Sequence, residues 1–309
     1  MSDEEFIALW QQGLTVQDIA TRMGITLRNV FVRRRKVEQK YGIVISLDEV
    51  ERPEKKPQRI EYEIENGIAI VFSDAHFWNT TPTTAYRGLI HLIKKLKPQL
   101  IVCNGDAFDG ASISRFPRAG FHEQKPMVSD ELRACKTMLG GIVKAAPKDC
   151  LFTWPLGNHD MRFEAFLAAN APQFEFIDGF HLKDHFPKWD ACWSTWINDD
   201  VVIKHRWKGG IHATHNNTVN SGKTMVTGHL HSLKVTPFSD YNGTRWGVDT
   251  GTLAEPYGPQ FRDYCEDNPV NWRSGFGVLT WEDGQLLPPE LCQVWDDDSV
   301  TFRGEVIGV

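Results

Sequence analysis

The sequence predicts an α/β body preceded by a small all-helical head. Three observations lead there. From Ile68 onward, apolar runs of about five residues recur, each closing on polar residues. Helical stretches separate these runs, as expected where buried strands alternate with helices. Residues 3–41 instead show helical spacing, caps and glycine breaks.

The head, residues 1–45, reads as three short helices. Near Glu4–Gln12, Phe6, Leu9 and Trp10 fall at helical spacing, and Gly13 ends that helix. Thr15 can cap a second helix over Val16–Met23, with Val16, Ile19, Ala20 and Met23 apolar and Gly24 closing it. Thr26 can cap a third, which runs to about Lys40. Two capped helices joined by a tight glycine turn form the helix-turn-helix pattern. The third helix carries Arg28, Arg33, Arg34, Arg35, Lys36 and Lys40. On its wheel Val30 and Val37 lie together, with Leu27 and Phe31 beside them. Arg28, Asn29, Arg35 and Lys36 lie on the far side, where they can meet the phosphates and base edges of DNA. The competing reading is a solvated face on a protein-docking bundle, and Arg34, on the apolar side, speaks for it.

Residues 46–66 contain Pro53, Pro57 and a dense run of charges, and read as a charged linker. The body then occupies 67–309. Ile68–Phe72 leads to Asp74 and His76, and Leu100–Cys103 to Asp106 and Asp109. Leu151–Pro155 leads to Asn158, His159 and Asp160. Val201–Ile203 leads to His205, and Thr224–Thr227 to His229 and His231. Helices are expected over 84–97, about 129–146 and 162–170. Open α/β sheets carry their chemistry beyond the carboxyl ends of the strands, so these five ends can converge.

Composition narrows the class. Of 309 residues, 41% are hydrophobic and 24% charged, and 11 Trp, 18 Phe and 6 Tyr exclude disorder as the main state. No apolar run approaches the ~18–20 residues of a membrane span. The start is acidic and lacks a signal-peptide pattern, so a cytosolic protein is expected. Six scattered cysteines without CxxC spacing speak against a cysteine zinc site or a disulfide framework, and for buried, reduced thiols. Residues 1–60 hold 11 basic and 9 acidic side chains, whereas the remainder holds 23 and 31. A mildly basic head thus precedes an acidic body.

The strand-end residues have the chemistry of metal ligands. An extended backbone points Asp74 and His76, two apart, to one side, and His229 and His231 repeat that spacing. Asp106 can bridge through its two oxygens, Asn158 offers an amide oxygen, and His205 adds an imidazole. Seven N/O ligands can hold two divalent ions roughly 3.5–4 Å apart. Such ligands suit Mn²⁺, Fe²⁺, Zn²⁺, Co²⁺ or Mg²⁺, with Mn²⁺ the first choice for activity in vitro.

Taken in order, Ser-Asp-Ala-His at 73–76, Gly-Asp-Ala-Phe-Asp at 105–109, Gly-Asn-His-Asp at 157–160, His205 and Gly-His-Leu-His at 228–231 resemble the calcineurin-like metallophosphoesterase superfamily. The resemblance covers about 67–255. It implies a four-layer α/β/β/α sandwich with a dinuclear centre. By that resemblance Asp74, His76, Asp106 and His231 would hold one ion, and Asp106, Asn158, His205 and His229 the other. His159 would face the scissile phosphate as a catalytic acid or transition-state stabiliser, with Asp160 orienting its ring. His205 directly follows its strand and is preferred to His212 and His215 as the single-histidine ligand. His91, His181 and His185 read as structural or surface residues.

The expected function is a metal-dependent phosphodiesterase acting on DNA, either a nuclease or a processor of DNA ends. Asp109, three residues after Asp106, resembles the repair-nuclease branch, and Arg115 and Arg118 can grip flanking phosphates. A phosphomonoesterase acting on a small molecule or phosphoprotein is the rival enzyme. A DNA-binding regulator with an inert phosphatase fold is the third reading, and the full ligand set argues against it. The pairing of head and body resembles proteins of tailed-phage genomes. Residues after 255 read as late strands and loops closing the sandwich, with no role assigned.

Overall fold

The computed structural model describes residues 2–12, 14, 16–43, 45, 59–116 and 124–309, leaving aside the Asp263 side chain. Gly13, Thr15, Arg118 and residues 46–58 of the expected linker lie outside the described residues. The chain divides into two compact units, Met1–Lys56 and Pro57–Val309.

The first unit contains helices α1 (Asp3–Gln11), α2 (Val16–Met23) and α3 (Leu27–Tyr41). Ser2 and Glu5 form a reciprocal capping box at the start of α1, satisfying amides that the helix itself leaves without acceptors. Thr26 Oγ1 accepts from the Asn29 amide at 3.3 Å and caps α3. Phe6, Trp10, Ile19, Val30 and Val37 make the core. The buried stripe of α3 is narrower than its wheel predicts, because Leu27 and Phe31 are each 44% exposed. A three-helix unit this small has too little interior to cover both. Arg33 and Lys40 pair with Asp3. Arg34 pairs with Glu38 and lies over the Trp10 ring at 5.2 Å, which explains a cation on the core side. Arg28, Asn29, Arg35 and Lys36 are exposed.

The second unit holds two sheets. The nine-stranded sheet is built on β2 (Gly67–Phe72), β3 (Leu100–Cys103), β4 (Leu151–Pro155) and β5 (Asp190–Cys192), all parallel. Beyond β2 it continues through β11 (Gly275–Glu282), β13 (Glu290–Asp296), β14 (Ser299–Phe302) and β15 (Glu305–Gly308), with β12 (Gln285–Leu286) paired to β11. The six-stranded sheet runs in the order β1 (Ile60–Tyr62), β6 (Thr195–Ile197), β7 (Val201–Ile203), β8 (Thr224–Thr227), β10 (Gly243–Asp249) and β9 (Lys234–Asp240).

Alternation along β2 and β3 divides the interior. Ala69, Val71, Leu100 and Val102 pack with Ile203, Val226 and Val248 of the six-stranded sheet. Ile70, Phe72, Ile101 and Cys103 point the other way, toward α4 (Thr84–Leu96) and α5 (Val128–Ala145). Helix α7 (Ala213–Ser221) packs on β8, β9 and β10. The layers are therefore helix, sheet, sheet and helix. All six cysteines are buried and unbridged.

The expected linker is corrected at its end. Ile60–Tyr62 is a strand, paired in parallel with Thr195–Ile197, and Ile64 beyond it is buried. Three residues among many charges give too short an apolar pattern to stand out. Among the described residues no helix is long and apolar enough to cross a membrane.

Candidate metal centre

Five site residues share an unusual backbone. Asp74, His76, Asp106, His229 and His231 have φ of 53°, 42°, 53°, 70° and 54°. The extended geometry expected for the paired Asp74/His76 and His229/His231 is thus replaced by left-handed turns immediately after β2, β3 and β8. Such conformations are uncommon for residues other than glycine and concentrate at functional sites.

The turns bring seven predicted ligands to one cleft region. The ligand atoms of Asp74, His76 and His231 lie within 4.8 Å of one another, as do those of Asp106, His205 and His229. Asn158 lines the same cleft as Asp106 and His229. Each acid uses one oxygen to fasten a neighbouring loop: the His229 amide donates to Asp74 Oδ2 at 2.8 Å, and the His159 amide to Asp106 Oδ1 at 2.8 Å. The other oxygens face imidazoles, with Asp74 Oδ1 3.1 Å from His231 Nε2 and Asp106 Oδ2 3.0 Å from His205 Nε2. Two motif glycines are needed for this approach. A Cβ on Gly157 would meet Asp106 Oδ1 at 2.0 Å, and one on Gly228 would meet Asp74 Oδ2 at 2.6 Å.

Three donor or acceptor atoms here are buried without a hydrogen-bond partner, His76 Nε2, Asn158 Oδ1 and His231 Nδ1, while His205 Nε2 has only the Asp106 carboxylate. Buried polar atoms are nearly always satisfied, so a group of orphans among carboxylates fits a cation. Charge fits as well. Against the cost of burial, His231 and His205 hold the Asp74 pKa down to about 2. Burial, then the His205 ring, lowers His229 to about 4 and favours the neutral imidazole. Against burial, Asp106 and Asp74 raise His205 to about 10, so a cation would have to displace the His205 proton.

A third group, His76, Asp109 and His159, is explained by hydrogen bonds instead. Asp109, which the sequence places at the substrate, borders the cleft. It is 6% exposed and committed to three side chains: His76 Nδ1 at 3.0 Å, Trp78 Nε1 at 2.7 Å and His159 Nδ1 in a short contact. Asp109 therefore orients His159, correcting the role given to Asp160. Asp160 begins α6 (Asp160–Asn170) and turns back into the strand-end loops. It accepts from the amides of Asp106, Phe108 and Gly157 and from Trp154 Nε1, at 2.7–3.0 Å. Its role is to hold the loops, not the ring.

His205 is anchored by Nδ1 to the Asn104 carbonyl at 2.8 Å. His212 sits at the start of α7, and His215 packs on the Phe238 ring; neither joins the cluster. His181 and His185 contact the carbonyls of Glu175 and Gly179, and His91 is exposed. Arg115 is exposed and lies over the Phe116 ring at 5.2 Å.

The sequence reading missed Arg162. Its Nη1 donates to the Asp109 carbonyl at 2.8 Å, and its Nη2 lies 3.2 Å from His159 Nε2. The signal was available, since residues three apart on a helix share a face. Also missed were Phe261 and Trp272, which pack on His231 at centroid distances of 5.4 and 4.6 Å. Nothing local in the sequence marks that contact.

Comparison with known proteins adds three similarities. The chain is 26% identical over 235 residues to the Gene 54 protein of Mycobacterium phage D29, a match spanning 67% of this chain and 86% of that protein. Among solved structures it is similar to YfcE, a phosphoesterase from E. coli, at 13% identity and a TM-score of 0.34. That match covers 78% of this chain and 97% of YfcE. It is also similar to Vps29 of Chaetomium thermophilum, at 10% identity and a TM-score of 0.35, covering 79% and 95%. No family model matches the chain.

Proposed function

We propose that this protein is a divalent-metal-dependent phosphodiesterase whose substrate is DNA. The observation that carries the hydrolase reading is the set of orphaned buried atoms of His76, Asn158 and His231 beside Asp74, Asp106 and His205. Asp74, His76, Asp106 and His231 would hold one ion, and Asp106, Asn158, His205 and His229 a second. Manganese is the first candidate for activity in vitro. When bound, such ions neutralise phosphate oxygens and make hydroxide available from water near neutral pH.

The protein's own groups supply the rest. Asp109 accepts from His76 and so fixes the ring of a ligand, as outer partners of metal-bound histidines do. The same carboxylate oxygen holds His159 by Nδ1, leaving Nε2 for the leaving oxygen. A guanidinium only donates, so the Arg162 contact suits a His159 whose Nε2 is unprotonated. A phosphate oxygen in the cleft offers Arg162 a stronger, charge-assisted partner. That exchange frees Nε2 to take up and deliver a proton. Asp106 and Asp109, outweighing burial, raise the His159 pKa and favour the protonated ring.

The DNA assignment is supported by the exposed Arg28, Asn29, Arg35 and Lys36 on α3, the capped third helix of the proposed helix-turn-helix. The exposed Leu27 and Phe31 support the second reading of the head, as a protein-docking module. The test is purified protein with Mn²⁺, Fe²⁺, Zn²⁺, Co²⁺ or Mg²⁺ in turn, assayed against single- and double-stranded DNA, a dye phosphodiester and a dye phosphomonoester. Metal-dependent cleavage of both diester classes is expected. Turnover of the monoester alone would reassign the substrate, and no turnover with any of the five metals would leave the inert-fold reading.

A further inference from the structure

The cleft of about 540 Å³ over the cluster is rich in aromatic rings. Trp78, Phe116, Phe261, Tyr264 and Trp272 line it together with Asp106, Asn158 and His159. Two of these rings, Trp272 and Tyr264, are stacked, and Phe261 meets Trp272 edge-on. Trp272 contacts His231 and Phe261 at 4.6 and 5.1 Å, and Tyr264 lies on it nearly parallel, at 15° and 5.8 Å. The stack has its own foundation, since Ala254, Phe261 and Cys265 are buried beneath it with Val270 and Trp272 packed alongside. Tyr264, the outermost ring, is 77% exposed, and Phe116 is 61% exposed. An aromatic face left to water on a well-packed base costs apolar hydration and gains nothing in folding. Two guanidiniums share the neighbourhood, Arg115 over Phe116 and Arg162 beside His159.

We propose that Tyr264, backed by Trp272, is a base-stacking shelf, and that the ester taken at this centre belongs to a nucleotide whose base is unpaired. Flat rings beside cations are the means by which proteins hold single strands: the cations follow the phosphates, and each base offers a π face. Inside a duplex those faces are covered by neighbouring base pairs, so the shelf selects a single strand or a frayed strand end. This inference rests on the phosphoester reading and narrows its substrate. It also assigns a role to the segment from 256 to 272.

The test is equilibrium binding of the full-length protein in EDTA, followed by fluorescence anisotropy. The probes are a labelled six-nucleotide dT strand, the same strand with abasic residues, a dT·dA duplex and thymidine monophosphate as competitor. Phosphate contacts anywhere on the chain are common to the first two probes and cancel in their ratio. The dT strand should bind about tenfold more tightly than the abasic one, from stacking of one base. Tyr264→Ala should erase that ratio, and Tyr264→Phe should keep it. Loss of duplex binding in Tyr264→Ala, an unchanged dT-to-abasic ratio in that variant, or equal binding of dT and abasic strands would overturn the proposal. Competition by the mononucleotide as strong, per molecule, as by the strand would assign the shelf to free nucleotides and overturn the strand assignment. The two readings fail separately. A base-dependent ratio without metal-dependent cleavage sinks the hydrolase and keeps the shelf, whereas dye-diester cleavage without the ratio does the reverse.

Discussion

At the strand ends Asp74 and Asp106 are at most 1% exposed, while on α3 Arg28, Arg35 and Lys36 stand in solvent. Both regions are charged, but the charges are maintained at different cost. Burying a carboxylate costs several kcal/mol unless it is compensated, and left-handed turns at five site residues add strain. A chain retains such a group only with a compensating role. An exposed arginine costs almost nothing, so a DNA-binding face and a merely solvated one look alike. The cluster therefore constrains function tightly and the head loosely.

The largest expected effect tests the buried side. Asp106→Asn should lower phosphodiester turnover by ~10³-fold or more, the scale on which loss of a charge-stabilising group acts. Metal analysis should show both ions weakened. Retention of two tightly held ions would separate Asp106 from the bridging role.

Next in size is His159→Ala. It should slow turnover ~10²–10⁴-fold on an alkyl leaving group, less on nitrophenolate, and leave metal content unchanged. Equal defects on both leaving groups would remove the proton-donor role.

A third comparison sets Asp109 against Asp160. Asp109→Asn should mainly reduce kcat, with a smaller fall in Tm than Asp160→Ala, because one amide oxygen still accepts where two carboxylate oxygens did. Asp160→Ala should cost at least ~3 kcal/mol of stability, because four N–H donors lose a charged acceptor. Thermal melts and kinetics on the two variants would expose an exchange of roles.

The smallest effect belongs to the head. Deleting residues 1–56 should leave dye-diester hydrolysis intact, since every proposed ligand lies at or beyond Asp74 and β1 is kept. DNA binding should weaken and lose salt dependence, by about 0.9 in log–log slope per phosphate contact. Charge reversal at Arg28, Arg35 and Lys36 should mimic the deletion, whereas Val30→Asp should unfold the bundle. Equal DNA binding with and without the head would favour the docking reading.

The strands carrying the cluster were legible because each is a continuous apolar run closed by polar residues, and a strand buried on both faces leaves that signature. Strand β1 was not, since three residues cannot display a period. Asp160 was misread because sequence adjacency to His159 suggested contact. At the first position of a helix its side chain folds back on loop amides instead, and Asp109, fifty residues earlier, reaches the ring. The Ser2/Glu5 capping box was present as a Ser-x-x-Glu spacing and could have been read. The Tyr264–Trp272 stack was beyond reach, because it is defined by a fold that returns to His231 from a distant segment.

The bond from the His229 amide to Asp74 Oδ2 joins a turn after β8, in one sheet, to a turn after β2, in the other. It acts as a seam as well as a ligand support. The apolar core between the sheets holds them together without this bond, so the two turns can separate while the sheets stay packed. The amide hydrogen of His229 should therefore exchange with solvent by local opening of the site, faster than the amides of the strands beneath it, and its exchange rate reports loosening of the centre on an intact scaffold.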